Sequence, residues 1–239
     1  MIPWLDGEPD FPPPSMALRE PNGLLAAGGR LEPDWLLAAY RRGIFPWFGE
    51  DDPILWWSPD PRMVLEPSAM KISRSLRRRL RRREFDVRLD RDFEAVIYAC
   101  AAPRIDAAGT WITGAMRAAY GRLHELGHAH SVECYSGDRL VGGLYGVAIG
   151  RMFFGESMFA RATDASKVAL AHLCRHLEKH GFGLIDCQMT TSHLASLGGH
   201  EIGRDEFTGR LALLTAAGGA AGRWPERAAD FDWGDAEPC

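Results

Sequence analysis

The stretch Leu140–Gln188 most constrains what this chain can fold into. It holds two apolar runs, LVGGLYGVAIG and RMFFGESMF, then an amphipathic segment, then a third apolar run, LIDCQ. The runs have strand length, and Gly150-Arg151 between the first two is a hairpin turn. Ala165 to His180 keeps a helical repeat and stops at Gly181, a residue suited to a helix end. Strand, strand, helix, strand is therefore the predicted order. The last strand finishes in Asp186 and Gln188, which the two-residue alternation of a strand puts on one face. A buried strand that ends in a carboxylate and an amide suggests a site. Glu156 sits inside an apolar run, where a carboxylate is costly unless it is paired or functional. The bland reading of Glu156 and Asp186 is an ion pair with an arginine or Lys167.

Upstream, residues 1–16 hold five prolines and read as an extended arm. Pro33 suits a first helical position, and a short helix is predicted over Asp34 to Arg42, closed by Gly43. The segment to residue 60 carries Trp4, Trp35, Trp47, Trp56 and Trp57. A small proline-rich unit builds its core from aromatics, so most of these belong inside; one or two are candidates for stacking on a nucleobase. Met70 to Arg83 reads as an amphipathic helix. Ile72, Leu76 and Leu80 form its apolar stripe, and arginines cover the rest. The run has no acidic relief before Glu84. Such a face fits a polyanion better than plain solvent. Beyond it, a strand, two helices and the alternating HAHSVECY lead into the central stretch, giving an antiparallel meander. Thr163 or Asp164 is placed to cap the helix after it. A short helix, a short strand and a final helix over Asp205 to Ala216 follow. Residues 102–108 and the tail from Gly218 read as loose.

This order defines an α+β fold, and it is the order of N-acetyltransferase-like (GNAT) domains, with a mixed, largely antiparallel sheet. Residues 1–65 are assigned to a small N-terminal domain and 66–239 to the GNAT-like domain. The 239 residues suffice for this. A net charge of −4 offers no global field for nucleic acid, so local patches must provide one. Five widely spaced cysteines without a C-x-x-C pair fit reduced thiols in a cytoplasm. No apolar run reaches the length of about twenty residues that a membrane span needs. No heptad repeat is visible, so a monomer is expected.

His124-Glu125-Leu126-Gly127-His128 matches the letters of H-E-x-x-H. That zinc motif needs both histidines on one continuing helix. Gly127 reads as the helix end, so no metal is expected here. A GNAT enzyme using acyl-CoA needs a glycine-rich turn to hold pyrophosphate. The corresponding turn, Arg161 to Ser166, has no glycine, which points to another acyl donor.

The motifs LREPNGLLAAGGRL, YRRGIFPWF, DPILWWSPDPRMVL, GTWIT, HELGHAHSVE, GESMFAR and LIDCQ, the last followed by HLASLGGHEI, resemble the leucyl/phenylalanyl-tRNA–protein transferases. The resemblance runs from Leu18 to Ile202. It implies a cytoplasmic bacterial enzyme without metal or other cofactor. Such an enzyme moves Leu or Phe, with Met as a further donor, from aminoacyl-tRNA to the N-terminal Arg or Lys of a protein. The product enters N-end rule degradation. The partners implied are Leu-tRNA, Phe-tRNA and acceptor proteins. The resemblance also assigns roles. Asp186 and Gln188 form a polar relay to the attacking amine, with Asp186 either a base or an orienting group. Glu156 meets the acceptor's charge. Leu144, Phe153, Met158 and Ile185 form the amino-acid pocket. Trp47 and Trp111 stack on the terminal adenosine. Lys71, Arg74, Arg77, Arg78 and Arg81 contact tRNA phosphates. Other classes remain open at this point: an acyl-CoA transferase, a zinc peptidase, and an RNA-binding module without catalysis.

Overall fold

The structure is a computed structural model and describes residues 2–102, 110–217, 221–228 and 231–234. Its first part contains strand β1 (Trp4–Leu5), strand β2 (Leu24–Gly28), helix α1 (Pro33–Arg41), strand β3 (Phe45–Pro46) and strand β4 (Leu55–Trp57). These four strands form one sheet in the order β1-β2-β4-β3. Aromatic packing substitutes for a larger core. Phe11 meets Trp56 edge-on at 4.8 Å, and Trp35 stacks on Trp56 at 6.3 Å. The extended arm expected over residues 1–16 is thus corrected in one respect: part of it is regular structure. Trp4 and Leu5 pair in parallel with β2, and Phe11 is buried.

The second part adds β5 (Arg62–Leu65), α2 (Arg74–Arg81), β6 (Asp86–Leu89), α3 (Phe93–Cys100) and α4 (Gly114–Glu125). The meander β7 (Ala129–Ser136), β8 (Arg139–Ile149) and β9 (Met152–Ala160) follows. Then come α5 (Ala165–Lys179), β10 (Leu184–Gln188), α6 (Ser192–Ser196), β11 (His200–Ile202) and α7 (Arg204–Ala216). The seven strands run in the order β11-β5-β10-β9-β8-β7-β6. β9 and β10 are parallel, joined by α5 as a crossover, and the other neighbours are antiparallel. The fold is α+β with mixed sheets, as expected. Gly127 and Gly181 end α4 and α5 with φ of 75° and 74°, a conformation that glycine adopts freely.

Sheet membership shifts the division drawn at residue 65. β5 pairs with β10 and β11, so Arg62–Leu65 belong to the larger sheet. The buried core is also continuous across the division: Tyr40 of α1 lies 4.9 Å from Phe154 of β9. The expected capping of α5 differs too. Asp164 occupies the cap position with φ 62°, but its carboxylate turns to Nζ of Lys167 at 2.7 Å. The loose loop expected over residues 102–108 falls almost wholly outside the described residues, as does Cys239. Cys100, Cys134, Cys174 and Cys187 are free thiols. Among the described residues no helix is long and apolar enough to cross a membrane.

Candidate active site

A cavity of about 360 Å³ opens between the β8–β9–β10 surface, α5, α6 and the aromatic edge of the first sheet. Leu144, Phe153, Met158 and Ile185 line it, together with Trp47, Trp111, Glu156 and Gln188. All eight are residues singled out in the sequence. Leu170 and Leu173 of α5, Cys187 and Leu194 complete the apolar wall. Two larger cavities, of 580 and 560 Å³, lie elsewhere and hold none of these groups.

Glu156 is the polar end of the cavity. Its Oε1 accepts from the Tyr40 hydroxyl at 2.6 Å and from Nε2 of Gln188 at 3.0 Å. Its Oε2 accepts from the Tyr120 hydroxyl at 3.0 Å. The two tyrosine hydroxyls also lie against each other; with one proton apiece they bond to each other only in place of one bond to Glu156, or when the Glu156 carboxyl carries its own proton. Tyr40 and Tyr120 come from α1 and α4, so helices from both parts of the chain converge on one carboxylate. Glu156 is half-buried because it faces the cavity; protein encloses it on its other sides. That burial pushes its pKa up to about 7, the nearby Asp186 charge adds to the rise, and the tyrosine and Gln188 hydrogen bonds oppose it. The carboxyl group therefore exchanges protons near neutral pH. Tyr40 and Tyr120 are pushed well above the usual phenol range, by burial first and by Glu156 next, so they remain donors.

Asp186 is placed differently from expectation. It is 0% exposed and does not line the cavity. Arg62 grips it from β5, with Nε to Oδ1 at 2.8 Å and the second guanidinium nitrogen to Oδ2 at 2.6 Å. The Arg62 guanidinium lies over the rings of Phe45 and Phe207 at 4.8 and 4.7 Å. The alternation argument fails at one point. The β10–β5 register shifts between Asp186 and Gln188, and Gln188 has φ 63°. This bulge turns the Gln188 side chain to the face used by Ile185 and Cys187, while Asp186 points the other way. Asp186 Oδ1 then accepts the Gln188 backbone N–H at 2.8 Å. The link between the two is real but runs through the backbone. The bland alternative for Asp186, an arginine partner, also holds. Lys167 pairs with Asp164 instead.

Trp47 is 39% exposed at the mouth of the cavity and meets Trp57 edge-on at 5.5 Å. On α2, Leu76 and Leu80 are buried, and Ser73 caps the start by accepting from Leu76 N–H at 3.2 Å. Lys71, Arg74 and Arg78 are exposed. Arg77 and Arg81 instead donate to the carbonyls of Gly234 and Trp233 at 2.7 and 3.0 Å. Acidic relief also exists: Arg79 pairs with Glu84 and, at 3.6 Å, with Asp164. The zinc geometry fails as predicted. His124 lies in the last turn of α4 with its Nδ1 at 2.8 Å from the Ala129 carbonyl, and His128 lies beyond Gly127.

Sequence reasoning missed Tyr40, Tyr120 and Arg62. The first lies in YRRGIFPWF and the last in DPRMVL, but each reads locally as core or surface.

An apolar pocket ending in a carboxyl and an amide, with Trp47 exposed at its mouth and Trp111 in its wall, is compatible with an acyltransferase-type site. Comparison with known proteins makes this specific. Residues 64–212 match the family described as leucyl/phenylalanyl-tRNA protein transferase, and residues 29–60 match its N-terminal domain. The chain is 64% identical to the leucyl/phenylalanyl-tRNA–protein transferase of Azoarcus sp. (strain BH72), over 98% of this chain and 100% of the relative. It is 63% identical to that of Aromatoleum aromaticum, over 97% and 98%. It is 56% identical to that of Pseudomonas syringae pv. syringae, over 98% of both. Solved structures match only loosely: L-PGS from Bacillus licheniformis aligns with a TM-score of 0.38 and 12% identity, over 72% of this chain and 57% of that one. The chain belongs to the leucyl/phenylalanyl-tRNA protein transferase family and is an aminoacyltransferase.

Proposed function

We propose that this enzyme moves Leu, Phe or Met from aminoacyl-tRNA to the N-terminal Arg or Lys of acceptor proteins. The product carries a new N-terminal residue that marks it for N-end rule degradation in the cytoplasm. One observation carries the reading: the apolar cavity ends at the hydrogen-bonded pair Glu156 and Gln188, so a side chain and a reacting carbonyl fit one continuous space.

In this reading Leu144, Phe153, Met158 and Ile185 hold the donor side chain. An apolar slot favours unbranched-β residues by shape, with discrimination of about 1–3 kcal/mol per methylene. Trp47 and Trp111 hold the terminal adenosine by stacking. The acceptor α-amine, with a reference pKa of about 8, arrives largely protonated. Glu156 in its ionised form attracts that cation and takes a proton from it. The amine attacks the ester carbonyl, the C–N bond forms and the C–O bond breaks. The released tRNA 3′ oxygen takes up a proton. Gln188 Nε2 is placed to donate to oxygen charge at the reacting centre. Asp186 acts as a positioning residue: held by Arg62, it fixes the Gln188 backbone. Lys71, Arg74 and Arg78, with Arg77 and Arg81 nearby, meet tRNA phosphates, which supplies affinity with little sequence information.

The finer fold assignment belongs to the same proposal. The meander followed by β9–α5–β10 supports a GNAT-like unit from β5 onward, preceded by a small N-terminal unit. The glycine-free turn before α5 supports a tRNA ester over acyl-CoA as donor, with no metal or cofactor. A monomer is the expected state.

The test is a transfer assay with labelled Leu-tRNA or Phe-tRNA and peptides beginning with Arg, Lys or Ala. Label on the Arg and Lys peptides alone is expected. Label on the Ala peptide, or on none while tRNA still binds, would overturn the reading.

A further inference from the structure

Residues 221–228, in the tail after α7 that looks loose in sequence, pack against the body. They run past the edge strand β6, with Arg227 bridging to Arg88. Gly222 N–H donates to the Gly127 carbonyl at 3.0 Å, and Leu89 N–H donates to the Glu226 carbonyl at 2.8 Å. Between these clips sits Trp224. Its backbone N–H donates to Oδ2 of Asp90 at 2.9 Å, and the same oxygen lies 2.8 Å from Nδ1 of His130. The indole lies flat on His130 at 4.1 Å with 4° between planes, and 4.4 Å from His176. It is therefore held in one orientation by two rings and a backbone bond.

The next ring along is Phe153, whose centroid is 5.9 Å from that of Trp224. Phe153 is 1% exposed and lines the donor cavity. Its ring also lies over Gly146, where an added Cβ would come within 2.6 Å of it. The ring thus has the β8 backbone on one side and Trp224 beyond it. A wall residue in a close-packed interior stays where its neighbours leave it no room to move. We propose that Trp224 is a positioning residue for donor selection: by backing Phe153, it sets the depth of the pocket that receives the aminoacyl side chain. This segment lies outside both stretches that match the family, residues 29–60 and 64–212.

The inference rests on the cavity being the donor side-chain pocket, and the experiment separates the two. kcat/KM is measured for Phe-tRNA and Leu-tRNA, with an Arg-started peptide, in the wild type, Trp224→Phe, Trp224→Leu, Trp224→Ala and Phe153→Leu. Smaller residues at 224 let the Phe153 ring recede and deepen the pocket. The Phe-to-Leu preference should rise in order of decreasing size, by about fivefold for Trp224→Ala, with KM for the peptide unchanged. Trp224→Phe should stay near the wild type. A purely structural role would lower both donors alike and leave the ratio flat. A flat ratio across the 224 series, with a shift in Phe153→Leu, overturns the role of Trp224 and keeps the pocket. A flat ratio in Phe153→Leu as well overturns both. Should Trp224→Ala fail to fold, Trp224→Leu decides by the same criterion, with Trp224→Phe as its control.

Discussion

Arg62 and Asp186, 124 positions apart in sequence, form a bidentate pair with side chains 1% and 0% exposed. A buried charge that loses its partner is far more costly than an exposed one. Arg62→Met should therefore destabilise the fold by about 3–5 kcal/mol, read as a lower midpoint in urea. A loss below about 1 kcal/mol would mean that water or another group takes over the partnership.

Asp186→Asn tests the positioning role. Oδ1 accepts both from Arg62 and from the Gln188 N–H. An amide keeps one acceptor but loses the charge that holds Arg62. Transfer should fall strongly, with kcat affected more than donor KM, and tRNA binding should stay intact. Unchanged turnover would remove Asp186 from the account.

Gln188→Ala removes the amide that donates to Glu156 and faces the cavity. The loss of one donor at a reacting oxygen costs roughly 10²–10³ in rate. A single-turnover assay with saturating donor should show a drop of about that size. A change in KM alone would make Gln188 a binding residue.

Trp111→Ala should raise the donor KM by the worth of one stacked base, about 1–3 kcal/mol. A free Leu ester lacking adenosine should show no such loss. Equal loss with both donors would return Trp111 to a structural role.

Arg74 and Arg78 are exposed on α2, whereas Arg77 and Arg81 are partly engaged by backbone carbonyls. Replacing Arg74 and Arg78 by Gln should weaken tRNA binding at low salt. The slope of log K against log salt should flatten by about one for each phosphate that is no longer neutralised. An unaltered slope would mean that this face is only solvated.

Much of the fold was legible because its elements carry strong local periodicity. The meander, α5 and β10 have caps, turns and apolar repeats that agree with one another. The pocket wall was legible through the family resemblance; alternation alone does not give it, because Phe153 and Met158 are five positions apart on β9 and the β8–β9 register shifts between them. The site's polar half was not. Tyr40 and Tyr120 sit on helices that read as ordinary amphipathic packing, and only the tertiary fold brings their hydroxyls to Glu156. Gln188 turns by a bulge that no spacing rule announces, so alternation wrongly grouped it with Asp186. The C-terminal strap has no period at all. Its Trp224 and Trp233 lie among Gly, Pro and charged residues, and their aromatic character was the available signal.

The raised pKa of Glu156 also has a consequence for stability. Its folded pKa, about 7, exceeds the ordinary Glu value of 4.5. The favourable contribution of the protonated group is fully present below the unfolded value and is lost as pH rises through the folded one. Glu156→Gln should therefore melt higher than the wild type at about pH 8 and show little difference at about pH 4.5. A gain of equal size at both pH values would contradict the shift.

The most direct test of the central claim is the pH dependence of kcat/KM for the acceptor peptide, in the wild type and in Glu156→Gln. If Glu156 takes the proton from the amine, the wild-type rate rises with pH through about 7, where its carboxylate forms. The variant should lose this limb and keep only the rise that belongs to the amine, at about 8. A variant with a lower rate but the same limb near 7 would contradict the account and place the proton acceptor elsewhere.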